Sequence, residues 1–291
     1  MNILIGITGS ISAYKMLDLI RKFIKSGHNV KVILTENAKY FMPILTLKTF
    51  IQEIFCDQFD TEIKQPVHIM LTKWADVFLI APATLNTIGK MANGLSDNLL
   101  LDAFFAFSGK TIIAPAMNDK MYDNEIFQQN INKLKEYGTI FIPPIAGFLA
   151  SYDKGRGRLE DIDIIFEETI SINSYSNDFA GKNVLITAGG SEEEIDPVRV
   201  ISNRSTGKMA KELALSFYRK GAKVRVISSV EMKVPAEIEI FPVKSVNDFF
   251  KEVKNNEKWY DIYVSTGAMS DFIPVKSNEK IKKEGFTGTL K

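Results

Sequence analysis

Short continuous apolar runs, each closed by glycine or proline, alternate along this chain with stretches whose apolar residues recur every three or four positions. The first run, NILIGIT (2–8), stops at Gly9-Ser10 and predicts a buried strand. Met16, Leu17, Ile20, Phe23 and Ile24 then recur at helical spacing, and Ser10 or Ser12 can cap that helix. KSGHN (25–29) ends it, and VKVIL (30–34) predicts the next strand. Further strands are predicted at VFLIA (77–81), TIIAPA (111–116) and TIFIP (139–143), with helices between them. Strands alternating with helices predict a parallel sheet covered on both faces.

SINSYSNDFAGK (171–182) is polar and has no period, which makes it the linker candidate. Beyond it the pattern restarts: NVLITAGG (183–190) echoes NILIGITG (2–9), and RKGAKVRVI (219–227) echoes KSGHNVKVI (25–33). The predicted class is α/β, with two doubly wound, Rossmann-like three-layer domains of mostly parallel strands over residues 1–170 and 183–291. Any two such domains share this rhythm, so the echo speaks for fold and not for function. Second-half strands are predicted near 183–187, 223–227, 238–241 and 261–265, before the chain runs to GFTGTLK. That leaves a free edge strand, a liability. Either the chain is incomplete or a partner covers that edge.

Composition narrows the class. The chain has 291 residues, enough for about two domains, and 45% are hydrophobic, so a sizeable core can form. A net charge of +1 gives no ground for nucleic acid or an anionic membrane as partner. One cysteine, Cys56, excludes an internal disulfide and fits a reducing cytoplasm. The start lacks the basic region of a signal peptide. The most apolar run, LLLDAFFAF (99–107), is too short to span a bilayer and carries Asp102. A cytoplasmic protein is expected.

Candidate chemistry begins where strands end. Gly9 and Ser10 stand between a strand and a helix, where free N–H groups suit a phosphate, although the same glycine serves a plain tight turn. The full G-x-G-x-x-G is absent, so a dinucleotide is not favoured. In IAPATLNTIGKMANGLSDNLL (80–100), Pro82 closes a strand, and Thr84, Asn86 and Thr87 follow at the carboxyl end of the sheet, where open α/β folds bind ligands. Their hydroxyl and amide groups suit a heteroaromatic edge or a ribityl chain. A capped helix start explains them equally well. Met117 and Asn118, in APAMNDKMY (114–122), likewise follow a strand and a proline. His28 reads as an exposed turn residue. His68 lies just inside a helix after Pro66. No cluster with zinc-ligand spacing surrounds it. GFLASYDKGRGRL (147–159) has three glycines, two arginines and no apolar period, and reads as a loop.

GSISAYK, PVHIMLTKWAD, the PATLNT block, GLSDNLL, PAMNDKM and GFLASYDKGRGRL occur here in one order. In that order they resemble the flavin-dependent cysteine decarboxylases, above all those fused to a phosphopantothenate–cysteine ligase in coenzyme A synthesis. The resemblance covers the whole chain. It implies FMN held between the subunits of a trimer or of a dodecamer built from trimers. Gly9, Ser10, Thr35, Thr84, Asn86 and Met117 would contact cofactor. His68 would be the base, and Asn118 would hold the carboxylate of phosphopantothenoylcysteine. The loop would be a flap whose glycines permit hinge motion and whose arginines favour an anion. The family chemistry oxidises the cysteine side chain to a thioaldehyde, an electron sink for CO2 loss, and then reduces the resulting enethiol. The family flap reads L-A-C-G, and its cysteine donates the last proton. Here Leu149-Ala150-Ser151-Tyr152 stands instead. A serine hydroxyl is far less acidic than a thiol of pKa ~8.5, so Tyr152, Asp153 or a water is expected to act as acid.

VLITAGGSEEEIDPVRVISNRSTGKMAKELA (184–214) resembles the ligase half. There the resemblance implies activation of phosphopantothenate by CTP and attack on the acyl-cytidylate by the amine of cysteine. Asn203 would act on that intermediate, and Asp271 would serve the nucleotide or its Mg2+. Lys280 would stabilise phosphate charge, although EKIKK alone reads as a solvated face. Ser205 to Lys208 would open a phosphate-accepting helix. The family continues beyond the position of Lys291 with further nucleotide-binding lysines, so weak ligase activity is expected of this chain alone. Two alternatives remain: a flavin-binding regulatory or scaffold subunit, and a peptidyl-cysteine decarboxylase that stops at the enethiol.

Overall fold

A computed structural model describes residues 1–57, 59, 65–148 and 154–282. They form two compact units, Met1–Asn173 and Ser174–Lys291.

In the first unit the apolar runs form β1 (Asn2–Ile7), β2 (Asn29–Leu34), β3 (Ile54–Phe55), β4 (Val77–Ala83), β5 (Lys110–Pro115) and β6 (Ile140–Phe141). All pair in parallel, in the order β3-β2-β1-β4-β5-β6. Side chains alternate between two cores because strand residues point to opposite faces. Ile3, Ile5 and Ile7 meet α1 (Met16–Lys25), α2 (Ile44–Lys48) and α8 (Ile162–Ile170) on one face. Leu4, Phe78 and Ile80 meet α3 (Val67–Trp74), α4 (Leu85–Ala92), α5 (Leu99–Ala106) and α7 (Glu125–Glu136) on the other. A short α6 (Asp119–Tyr122) follows β5. Each fully buried Leu, Ile or Phe stabilises by about 1.5–3 kcal/mol.

Four expectations are corrected here. The first helix opens as a tight 3-10 turn, Ile11–Lys15, capped by Ser10, so α1 starts only at Met16. Ile24 lies 42% exposed, because Met16, Leu19, Ile20 and Phe23 already fill the buried stripe. His28 is half-buried, its ring edge-on to Phe23 at 6.1 Å, and burial lowers its pKa. The segment around 147–159 is a hairpin: β7 (Ile145–Phe148) pairs antiparallel with β8 (Lys154–Arg158). Main-chain bonds make that ladder, so it needs no apolar alternation. Ser151 lies outside the described residues.

The second unit has a parallel sheet of β9 (Asn183–Ala188), β12 (Lys223–Ser228), β13 (Glu239–Pro242) and β14 (Ile262–Ser265), in the order β13-β12-β9-β14. A two-stranded arm, β10 (Glu192–Glu194) with β11 (Val200–Ser202), leaves β9 after Ser191. α9 (Lys208–Arg219) covers one face, with Ala210, Ala214 and Leu215 in its core, and α10 (Val246–Asn255) covers the other through Phe249. Among the described residues no helix is long and apolar enough to cross a membrane.

Candidate active site

In a doubly wound sheet the loops beyond the strands' carboxyl ends surround the place where strand order reverses. In the first unit that place lies between β1 and β4. A cleft of about 640 Å³ opens there, within the roughly 300–1,000 Å³ of ligand pockets. Its walls are the turns after four strands. Gly9 and Ser10 follow β1, Thr35 and Asn37 follow β2, Thr84 to Thr87 follow β4, and Met117 follows β5. Hydroxyls and amides line it, and Leu85, Met117 and Met121 supply apolar surface.

Thr8 holds this arrangement together, and its role escaped the sequence reading. It is 1% exposed, donates its hydroxyl to the Pro82 carbonyl at 2.7 Å and accepts the Thr84 N–H at 3.0 Å. A hydroxyl closing an apolar run beside a glycine was the available signal. Thr84 caps α4, its oxygen 3.4 Å from the Thr87 N–H, so the helix-cap explanation also holds. The cap leaves Asn86 on the first turn, lining the cleft. A side chain on Gly9 would overlap Asn37, which fixes glycine at that turn. Lys90 pairs with Asp97 at 2.5 Å on the rim, and that contact lowers the Asp97 pKa.

A second cavity of about 320 Å³ shares Ser10, Ala116 and Met117 with the first and adds Asn118. Asn118 caps α6 by accepting the Lys120 N–H at 3.0 Å. The hairpin is tied beneath it: the Met117 N–H donates to the Gly157 carbonyl at 3.0 Å. Side chains on Gly157 or Gly155 would overlap the Met117 carbonyl or Asp119. These glycines therefore allow close backbone approach.

His68 departs from expectation. It is half-buried on the first turn of α3 and lines neither cavity. The carboxyl end of α3 is tied to the start of β1 by Asn2 Nδ2 donating to the Trp74 carbonyl at 3.0 Å. The first turn of α3 therefore points to the ligand end of the sheet but stands outside the cleft walls of its own chain. Cys56 follows β3, at the edge of the sheet, and burial raises its thiol pKa.

In the second unit the reversal point, between β9 and β14, is bridged rather than open. Gly190 pairs with Ala268, and the Ala268 N–H donates to the Gly189 carbonyl at 2.7 Å. The exposed Asn203 donates Nδ2 to the Ala268 and Met269 carbonyls at 3.3 and 3.0 Å. It thereby stands beside the 267–271 turn that carries Asp271, which is exposed. Lys280 is exposed too, next to Ile281, whose N–H and carbonyl are held by Asp196 and Arg199. Asp196 is buried, which raises its pKa, but the N–H groups of Val198, Ile281 and Arg199 and the Arg199 guanidinium outweigh burial and hold it at about 2. α9 starts at left-handed Gly207 with no side-chain cap, leaving first-turn N–H groups for an anion. A cleft of about 920 Å³ in this unit runs along Ser228–Lys233 and Lys244 and includes none of Asn203, Asp271 and Lys280. No group of three or more potential metal ligands occurs among the described residues.

Residues 1–174 match the family described as Flavoprotein, and residues 179–291 match the DNA/pantothenate metabolism flavoprotein C-terminal domain. The chain therefore belongs to the flavoprotein family, joined to that C-terminal domain. A "Coenzyme A biosynthesis bifunctional protein CoaBC" of Bacillus subtilis (strain 168) is 39% identical over 299 residues, covering 100% of this chain and 74% of its own length. The same-named protein of Borreliella burgdorferi is 38% identical over 285 residues, covering 97% and 73%. Among solved structures, a cysteine-to-serine mutant of a PPC decarboxylase complexed with pantothenoylaminoethenethiol aligns with TM-score 0.54 and 32% identity, over 59% of this chain and 97% of that one. The FMN-binding protein AtHal3 aligns with TM-score 0.52 and 31% identity, over 59% and 95%.

Proposed function

We propose that the chain is a bifunctional enzyme of coenzyme A synthesis. The first unit decarboxylates 4'-phosphopantothenoylcysteine towards 4'-phosphopantetheine, with FMN in the cleft between β1 and β4. The observation that carries this is the cleft itself: four strand-end turns present Ser10, Thr35, Asn37, Thr84 and Asn86 together with the apolar Leu85, Met117 and Met121. A planar ring with a polar edge and a hydroxylated tail needs such a donor set, so the residues fit the cofactor. Bound FMN supplies a two-electron acceptor for the substrate thiol. Thr84 and Asn86 orient the ring edge, and Gly9 and Ser10 receive the tail. Asn118 holds the substrate carboxylate through its neutral amide. His68 takes a proton from the substrate. Its place outside its own cleft supports a site shared between copies in a trimer or a trimer-based dodecamer. Ser151 stands where a thiol acid would, so Tyr152, Asp153 or a water returns the last proton.

The second unit serves CTP- and Mg2+-dependent ligation of 4'-phosphopantothenate with cysteine. The uncapped start of α9 and Lys280 take phosphate charge, Asp271 takes the nucleotide or its cation, and Asn203 acts at the acyl-cytidylate. The protein works in the cytoplasm, with no nucleic acid and no membrane as partner. The test is purification with FMN, followed by detection of CO2 from phosphopantothenoylcysteine. Release that is lost in His68→Asn is expected. A preparation that refuses FMN overturns the reading. FMN binding without CO2 release would favour a regulatory flavin-binding subunit, the reading that Ser151 supports. Release that halts at the enethiol would show that no group replaces the missing thiol.

A further inference from the structure

The arm after β9 carries more than Asn203, because the chain that leaves the 267–271 turn comes back along it. At the base of the arm the Ser270 N–H donates to the Ser191 hydroxyl at 2.9 Å. Further out, Lys276 pairs with Glu194, and the Ser277 N–H donates to the Ile195 carbonyl at 2.8 Å. At the far end Asp196 takes hold of Ile281. Residues 270–281 therefore form a strap fastened at both ends, and Asp271 and Lys280 stand just inside the two fastenings.

Asp196 divides its work between its two oxygens. Oδ1 accepts the N–H groups of Val198 and Arg199, each at 2.8 Å, and closes the turn that joins β10 to β11. Oδ2 accepts the Arg199 guanidinium at 2.6 Å and the Ile281 N–H at 3.1 Å. The same guanidinium nitrogen donates to the Ile281 carbonyl at 3.0 Å, so both main-chain groups of Ile281 are held. The turn alone does not require a carboxylate, since an asparagine oxygen closes such turns as well. Asp196 is 1% exposed, and burying a charge is costly. The partners of Oδ2 are what call for it.

We propose that Asp196 is a positioning residue of the nucleotide site: through Ile281 it fixes the backbone that carries Lys280, so that the ammonium group meets the phosphates of CTP. The inference rests on the ligase reading above. A lysine on a loose segment loses both side-chain and backbone freedom when it grips an anion, which weakens binding. A strap fastened beforehand removes the backbone share of that loss from the binding step. Asp196 itself touches no ligand.

The experiment titrates CTP with Mg2+ into the whole protein by calorimetry and compares Asp196→Asn, Lys280→Met and the double variant. Asparagine keeps an acceptor for the turn but presents a donor to the Ile281 N–H and to Arg199. Asp196→Asn should weaken CTP binding about 10-fold, Lys280→Met at least as much, and the double variant no more than Lys280→Met alone. Arg199→Met, which leaves the Oδ1 bonds in place, should show a smaller loss that likewise vanishes in the Lys280→Met background. Losses that multiply overturn the proposal, because a merely structural defect acts whether or not Lys280 is present. So does unchanged affinity in Asp196→Asn. Hydrogen exchange is the second arm: in Asp196→Asn the 276–282 amides should exchange about tenfold faster while α9 keeps its protection. Unchanged exchange there overturns the tether. Unsubstituted protein that binds no CTP, although these amides respond as expected, fails the ligase reading instead.

Discussion

The two units begin with the same phrase, a strand closed by glycine, and put it to opposite uses. After β1, Gly9 and Ser10 stay open and face a cleft, with Thr8 holding the neighbouring turn aside. After β9, Gly189 and Gly190 are covered by the 267–271 turn, which Asn203 ties down. An identical local rhythm thus yields an open cleft in one unit and a bridged turn in the other. What decides is the segment after the fourth strand in the order of each sheet. In the first unit it is lifted into a helix cap; in the second it lies across the glycines.

The sharpest way to break this comparison is to add one methyl group to each unit. Gly157→Ala meets the Met117 carbonyl, and Gly190→Ala meets the Asn203 carbonyl, so main chain must move in both. Overpacking of this kind costs about 1–3 kcal/mol, and small misplacements of a site cost about 100-fold in rate. Gly157→Ala should lose most CO2 release while CTP binding, followed by calorimetry, persists; Gly190→Ala should do the reverse. Thr8→Val comes next. It strands the Thr84 N–H, at about 1–3 kcal/mol, and FMN affinity measured by flavin fluorescence should fall, with Thr8→Ser restoring it. Acid should then separate the units. Because Asp196 is held at about 2, below the ordinary ~3.9, its stabilisation is whole above the ordinary value and is lost as pH falls towards about 2. Urea midpoints read from Trp259 fluorescence should drop across that window, and Asp196→Asn should flatten the drop. The smallest effect belongs to Asn98→Ala, which removes the cap of α5. It should lower the first unit's stability by about 0.5–2 kcal/mol in the same titration, read from Trp74.

The sheet strands other than β3 were legible because their apolar runs are continuous, and Gly9, Ser10, Thr84, Asn86 and Met117 could be placed at strand ends for the same reason, whereas Thr35 came only from the resemblance and the short β3, β10 and β11 went unread. The hairpin was not, since glycines and arginines joined by main-chain bonds leave no side-chain period. Thr8 was hidden inside an apolar run, although its hydroxyl serves partners 74 and 76 residues away. His68 shows the limit from the other side: its helix was legible, but residue spacing could not tell that it lines neither cavity of the first unit.

The tie from Asn203 to Ala268 and Met269 spans 65 and 66 positions. On the ribosome, every group lining the first cleft has emerged once Met121 is clear of the exit tunnel, and the hairpin follows soon after. The glycine turn of the second unit must wait, uncovered, until residue 269 arrives. During synthesis the two halves therefore mature in sequence, and a pause in translation between them would yield a finished first cleft beside a glycine turn still lacking its cover.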